Sequence, residues 1–357
     1  MTLRRLWLED FRNYAAAEFV PAPDGLSVIA GGNGDGKTNL LEAIGYLATL
    51  TSFRSAPNEA LVRRGATTAV VRADTDHSGR TVLIEAELRP GRRDRVLVNR
   101  QVLARSRDLL GSFRVSVFAP DDLALVQGGP AERRRFLDDA LVASHPRFDA
   151  VRGDLERVLR QRGALLKNVA GRLDAAAAVT LDVWDDKLAR IGEELAAARE
   201  VLVADVEPVV VKSYDQVAGT SVAVSLAYVR SWEGPLADAL AEARDGDVRR
   251  GVNGVGPHRD DLALTVDGLP ARTHASRGEQ RSLALALRLA VHEVITKTPG
   301  AAPILLLDDV FSELDAARSE ALLAHLPPGQ ALLTTAGPLP PAARPQVLVE
   351  VHAGALR

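Results

Sequence analysis

Residues 31–38, Gly31-Gly32-Asn33-Gly34-Asp35-Gly36-Lys37-Thr38, fit the pattern G-x-x-x-x-G-K-[ST]. Glycines let successive backbone N–H groups turn toward one point, and a helix opening near Lys37 adds its positive end there. A triphosphate can thus be cradled largely by main chain. Lys37 can reach the β and γ phosphates, the Thr38 hydroxyl can be placed on Mg²⁺, and Asn39 follows directly as a further candidate nucleotide contact. Far along the chain, the apolar run 303–307 ends in the acidic pair Asp308-Asp309. That is the pattern of a buried parallel strand whose tip enters a site. Asp308 at the tip can hold Mg²⁺, directly or through water, and Asp309 can be the general base that orients an attacking water. Such aspartates also cap helices, but a phosphate-binding loop in the same chain favours the metal reading. Ser276-Arg277-Gly278-Glu279-Gln280 precede an apolar helical stretch, 282–291. Ser276 can cap that helix and Gly278 permits close approach, so its N–H groups could face a γ-phosphate.

The elements that must carry these residues are legible in the periodicity. The loop lies between a β-like run, 26–30, and a helix, the context its motif requires. Alternation around Leu3, Leu6 and Leu8, and β-like runs at 17–20, 68–73, 81–88 and 95–98, make residues 1–120 mostly strands around one early helix. Asn99-Arg100 reads as a hairpin turn before Val102. From Pro120 the pattern becomes helical, through 132–142, 148–169 and 179–203. Strand patterns return at 222–229 and 262–266, where Asp267-Gly268 marks a tight turn. No internal repeat is found. The expectation is an α/β fold with mixed sheets around the phosphate-loop helix. Its limits are 1–120 and 255–357 for the two parts of the unit that carries the phosphate loop, and 121–254 for an inserted, mainly helical arm.

A length of 357 residues, 25% charged and 46% hydrophobic, suits about two ordinary globular domains. No apolar run reaches the roughly 18 residues of a membrane span, and the charged start lacks a leader pattern, so no membrane and a cytoplasmic, nucleoid-associated location are expected. The absence of cysteine excludes disulfides and thiolate metal sites. A net charge of −3 excludes a histone-like binder and leaves local basic patches open. Five lysines stand against 39 arginines. Arginine suits bidentate phosphate contacts, and a genomic bias that also enriches alanine would give the same count.

The segment around Ser276 resembles the ABC ATPase signature. Phosphate loop, signature, acidic strand and then Ser312-Glu313-Leu314-Asp315, which resembles the D-loop, occur in the order of that family. The resemblance implies that the signature of one subunit closes on nucleotide bound by another, hence an ATP-dependent homodimer. Ser276 lies 239 positions after Lys37, more than in transporter ATPases and fewer than in proteins with long coiled-coil arms. Leu8-Glu9-Asp10-Phe11-Arg12-Asn13-Tyr14, Ser52-Phe53-Arg54, Phe118-Ala119-Pro120-Asp121-Asp122-Leu123, Arg133-Arg134-Arg135-Phe136-Leu137-Asp138 and Gly256-Pro257-His258-Arg259-Asp260-Asp261-Leu262 are similar to the RecF family of bacterial recombination and repair proteins. That resemblance implies binding of ATP and Mg²⁺, of duplex and gapped DNA, and of RecR and RecO as partners, with slow hydrolysis. A transporter energiser and a non-hydrolysing scaffold are the alternatives.

Two positions depart from ABC enzymes. At the end of the strand 330–334 the chain reads Thr334-Thr335-Ala336 in place of a histidine, so the switch role is unfilled or falls to a threonine. No glutamine directly follows the strand 114–118, which leaves Asp122 or Gln127 as candidates for a water or metal contact. Arg12 and Arg54 stand where arginines of related heads approach nucleotide or DNA, or are exposed or salt-bridged. Arg92, Arg93, Arg95 and Arg100, and Arg133, Arg134 and Arg135, could contact DNA phosphates or form solvated faces. His258, in a turn, reads as structural.

Overall fold

The strands Gly25–Ala30, Ile304–Leu307 and Gln330–Thr335 are apolar on both faces and lie side by side in parallel. A strand buried on both sides needs a layer on each. In the computed structural model, which describes residues 1–77, 79–169, 171–297 and 302–357 (without the side chains of Ser106, Arg107 and Glu313), alternation along these strands divides them between two cores. Ile29, Ile304, Leu306 and Leu332 face the helix Lys37–Thr49 and a second sheet, while Leu26, Val28, Leu305, Leu307 and Leu333 share a core with Leu285, Leu289 and Leu322. Ten of the thirteen residues of Lys37–Thr49 are buried, as expected for a helix apolar on nearly every side.

The chain divides into two compact units. The first, the head, comprises Met1–Leu123, Val209–Val222 and Ser276–Arg357. Its central sheet runs in the order Ala355–Leu356, Val347–His352, Gly25–Ala30, Gln330–Thr335, Ile304–Leu307, Val115–Phe118. The second sheet is antiparallel, built on Thr2–Phe11, Tyr14–Phe19, Ala69–His77, Arg80–Leu88 and Arg95–Val98. Asn99 and Arg100 turn its last hairpin with φ of 50° and 65°, the left-handed pair a two-residue turn requires.

The second unit comprises Ala124–Pro208 and Ala223–Ala275. It holds the helices Pro130–Ser144, Arg147–Asn168 and Leu236–Arg250, most of Ala175–Ala218, and a three-stranded antiparallel sheet. The insertion therefore extends beyond the expected limit of 254 to Ala275, because Asp261–Val266 pairs along Val224–Val229 inside this unit. The helix Ala175–Ala218 also outruns its expected end at 203. It continues through Pro208, which lacks the N–H of a regular helical turn. Burial of Val209, Val210, Tyr214 and Val217 beyond the proline offsets that loss. Among the described residues no helix is long and apolar enough to cross a membrane.

On the helix Arg277–Lys297, His292 is buried and its Nδ1 has no hydrogen-bond partner. Burial pushes its pKa down to about 4 from an ordinary value near 6.5. A neutral buried histidine stabilises fully above the unfolded pKa, and that contribution is lost as pH falls from about 6.5 toward 4. Between pH 7.5 and 5 the head should lose about 2 kcal/mol from this residue. Urea unfolding at both pH values is expected to show a smaller acid loss, by that amount, in His292→Leu than in the parent chain.

Candidate functional site

The loop 31–38 leaves the strand Gly25–Ala30 and passes into the helix Lys37–Thr49. Gly36 has φ of 120°, and a Cβ there would lie 2.6 Å from the Asn13 side chain. Only glycine fits such a position. Neighbours clamp the loop. The Tyr14 hydroxyl donates to the Gly36 carbonyl (2.9 Å) and Asn13 Nδ2 to the Asp35 carbonyl (2.8 Å). Beside Asn13, the Gly354 N–H donates to that same carbonyl (2.9 Å) and the Ala353 N–H to the Asp35 carboxylate (3.1 Å). The Ala353 bond foremost, joined by one from the Gly32 N–H (2.7 Å), holds the Asp35 carboxyl below its usual range. Asn39 Nδ2 donates to Asn13 Oδ1 (2.8 Å), so Asn39 braces the loop's support rather than projecting alone.

Lys37 is buried, and its Nζ donates to the carbonyls of Gly31 (2.9 Å) and Gly32 (2.7 Å). The ammonium is held over the loop by neutral acceptors, for which phosphate oxygens are stronger substitutes. Asp308, at the tip of Ile304–Leu307, is 5% exposed. Its Oδ1 accepts from the hydroxyls of Thr38 (2.8 Å) and Thr334 (2.7 Å). Burial raises the Asp308 carboxyl above its ordinary pKa against the pull of these two bonds. Thr38 and Asp308 thus meet although 270 positions apart. Their oxygens are the hard donors that suit Mg²⁺, which keeps several waters and needs only one or two protein ligands. Asp309 is half-buried, with φ of 47°, beside Phe118, Pro120, Leu123, Arg281 and Ala284.

A family model described as the RecF/RecN/SMC N terminal domain matches residues 2–331. A DNA replication and repair protein RecF of Streptomyces avermitilis is 47% identical, over 94% of this chain and 93% of that protein. The chain belongs to the RecF family. A RecF of Frankia alni is also 47% identical, with the same coverage of 94% and 93%. A solved structure described as the recombination mediator protein RecF-ATP in the RecFOR pathway has a TM-score of 0.91 at 25% identity, covering 100% of this chain and 97% of that one. The fold is therefore the α/β head of RecF and SMC ATPases with its inserted unit.

Other residues singled out in the sequence of this RecF-family chain take varied places. Ser276 and Glu279 form a reciprocal cap of the helix Arg277–Lys297: the Ser276 N–H donates to Glu279 Oε2 (2.7 Å) and the Glu279 N–H to Ser276 Oγ (3.3 Å). Ser276 remains exposed. Gly278 faces the Arg318 guanidinium, which is held by Asp315. The Glu313 side chain lies outside those described. Arg54 makes a long bond of 3.4 Å to Asn39 Oδ1 and lends positive charge toward Asp308. Of the two readings of Arg12, a nucleotide or DNA contact or a salt-bridged arginine, the structure shows an ion pair. Nε and Nη2 fork onto Glu42 (both 2.7 Å) and Nη1 donates to the Ala60 carbonyl (2.9 Å). Glu42 is fully buried on the loop's helix and also accepts from Ser52. Arg12 therefore neutralises a core carboxylate one turn beyond Thr38. Glu42 was missed in the sequence, where a lone acid amid Leu40, Leu41, Ala43 and Ile44 was its signal. Asp122 accepts from the Ala119 N–H (2.9 Å) and pairs with Arg288, so it ties a turn to the signature helix.

In the inserted unit, Arg133 and Arg134 are not a solvated face. Arg133 is buried and forks onto Asp261 (2.7 and 2.9 Å), while Arg134 donates to the Asp260 carbonyl. Arg135 and the hairpin arginines Arg92, Arg93, Arg95 and Arg100 of the head are exposed. His258 bonds the Asn253 carbonyl through Nε2 (3.1 Å), and burial lowers its pKa. Asp260 accepts from Tyr228 and from the Ser231 N–H, and the Pro257 carbonyl accepts from Arg199. The segment 256–262 is thus framework for this unit.

Removing Arg12 leaves Glu42 charged and buried. Arg12→Leu should destabilise by about 3 kcal/mol, and the double variant Arg12→Leu/Glu42→Leu by less, because an unpaired buried charge costs more than an absent pair. Equilibrium urea unfolding of the two variants checks the order.

Proposed function

We propose that the protein is a DNA-binding ATPase whose bound ATP closes two heads on duplex DNA near single-strand gaps, supporting recombinase loading together with RecO and RecR. The observation that carries this reading is the 2.8 Å bond between Thr38 and Asp308. It brings the end of a phosphate-binding loop and the tip of an acidic strand to one point, as binding a metal–triphosphate requires. Family membership and the RecF-ATP relative support ATP as the nucleotide.

The backbone N–H groups of the loop and Lys37 bind the triphosphate, and Thr38 with Asp308 would hold Mg²⁺, which would supply neutralisation of the phosphate charge. Asp309 accepts the proton of the attacking water. Ser276 and Gly278 of a second copy complete the site. An exposed helix start favours that role, since the positive end of the helix Arg277–Lys297 attracts an anion. A site divided between two copies makes ATP the closing agent, because ligand that binds only the closed state draws the population to it.

Solution sizing without nucleotide, with ADP and with ATP, each with and without gapped duplex, tests this. A dimer confined to the ATP samples and retained on DNA is expected, and no ATP-dependent species would remove the reading. Lys37→Arg should abolish both ATP-dependent dimer and DNA retention. Asp309→Asn should bind ATP, release phosphate about a hundredfold more slowly and accumulate dimer. Rapid nucleotide release with no dimer build-up would exclude Asp309 as the base.

A further inference from the structure

The sheet strand Gln330–Thr335 lies between the strand that leads into the phosphate loop and the strand that ends in Asp308. Two threonines close it, and they do different things. The Thr335 hydroxyl serves its own turn, donating to the Gly337 carbonyl (3.1 Å) and accepting from the Gly337 N–H (3.2 Å). Thr334 is wholly buried and points into the carboxylate pair. Its hydroxyl donates to Asp308 Oδ1 (2.7 Å) and accepts from the Asp309 N–H (2.9 Å).

The direction of both bonds is fixed. An N–H can only donate and an ionised carboxylate can only accept, so the single Thr334 proton must lie toward Asp308. Asp308 Oδ1 then holds two donors, one from Thr38 and one from Thr334. If the Thr38 hydroxyl turns to a metal, Thr334 is the donor that stays and keeps the carboxylate in place. The same oxygen holds the peptide of Asp309, whose φ of 47° is costly for a residue with a side chain. The Asp309 carbonyl is fastened in turn by the Ser312 hydroxyl (2.8 Å). Thr334 also belongs to the loop's own strand pair: it stands opposite Ile29, and the next carbonyl, of Thr335, accepts from the Gly31 N–H.

The geometry points to Thr334 as a positioning residue for ATP hydrolysis: one hydroxyl sets the orientation of the metal-holding Asp308 and the backbone of the base Asp309 together, tied to the strand that bears the phosphate loop. This inference rests on the ATPase reading above. It assigns no contact between Thr334 and nucleotide.

The test uses the full chain and four variants. Thr334→Val keeps shape and β-branching but loses both bonds, Thr334→Ala leaves room should Val perturb folding, Thr334→Ser restores the hydroxyl, and Thr335→Val is the neighbouring control. Fluorescent ATP binding is measured with Mg²⁺ and with EDTA, beside phosphate release and the thermal midpoint. In Thr334→Val and Thr334→Ala, phosphate release should fall at least about tenfold, the scale of a lost bond to a charged group. The tightening of binding by Mg²⁺ should fall with it, while binding in EDTA, set by Lys37 and the loop, stays within about twofold. Thr334→Ser should recover both properties, and Thr335→Val should retain them. A Thr334→Ala protein with parental turnover and parental Mg²⁺ dependence overturns the inference. So does an equal loss in EDTA that Thr334→Ser fails to rescue, since that marks a general packing role. If the parent protein itself shows no Mg²⁺-dependent binding, the ATPase reading falls and takes this inference with it. A parent that binds and turns over beside an unimpaired Thr334→Ala removes the inference alone.

Discussion

Oδ1 of Asp308 accepts hydroxyl protons from Thr38 and from Thr334, and much of the head's architecture is what those two short bonds demand. Three strands must be parallel, adjacent and in register for residues 38, 308 and 334 to coincide. The observed pairing delivers this, with Leu307 opposite Leu333 and Thr335 opposite Ala30. A slip of one residue would turn Thr334 to the wrong face and bring a leucine to the carboxylate. Apolar residues on both faces of each strand prevent that slip, since each face is committed to its own core. Hydrophobic burial thus fixes polar geometry that hydrogen bonds alone would hold weakly.

Buried charge is the second organising constraint. Glu42 sits in the core beneath the phosphate loop because Arg12 and Ser52 supply its hydrogen bonds. In the inserted unit, Arg162 and Arg199 are among the largest fully buried side chains. Arg162 meets Asp185 and Asp247, and Arg199 meets Asp138. Such pairs contribute little net stability compared with apolar packing, but each punishes a misplaced partner by several kcal/mol. Their value here is in selecting one arrangement of helices among many that would bury similar apolar area.

What could be read from the sequence follows from which interactions are local. The phosphate loop, the acidic strand and the cap at Ser276 are short-range patterns, and the structure places each on the element expected. The hairpin turns at Asn99-Arg100 and Asp267-Gly268 are local too, and both carry positive φ. Long-range partners were not legible. The sequence leaves Arg12 as either a nucleotide contact or a salt-bridged arginine, and only the fold reveals Glu42 beneath it. Arg133 and Arg134 look like an exposed basic run, yet Asp261 and the Asp260 carbonyl lie more than a hundred positions away. The limit of the insertion was misplaced for the same reason, since strand pairing decides it. Thr334 and Thr335 are identical in sequence terms and differ only by the alternation of a strand.

The bonds that join the last hairpin to Asp35 bear on the order in which the molecule comes into being. The strand Gly25–Ala30 has two sheet neighbours, Gln330–Thr335 and Val347–His352, both roughly 300 residues downstream, a separation whose closure is slow. During synthesis at about 5–20 residues per second, the loop strand therefore waits for a quarter of a minute or longer for its sheet neighbours, whereas its helix can pack at once on the antiparallel sheet built from residues 2–98. The whole inserted unit, by contrast, has been synthesised before Ser276 is added. The nucleotide site is the last part of the protein to exist. A nascent chain stalled at residue 340 has a finished insertion and the entire phosphate-loop motif, yet no Val351, Ala353 or Gly354 to brace it. Such a chain can already cover the helix Lys37–Thr49, since nearly all of its core partners lie within residues 3–332, and what it lacks is the brace that holds the loop itself.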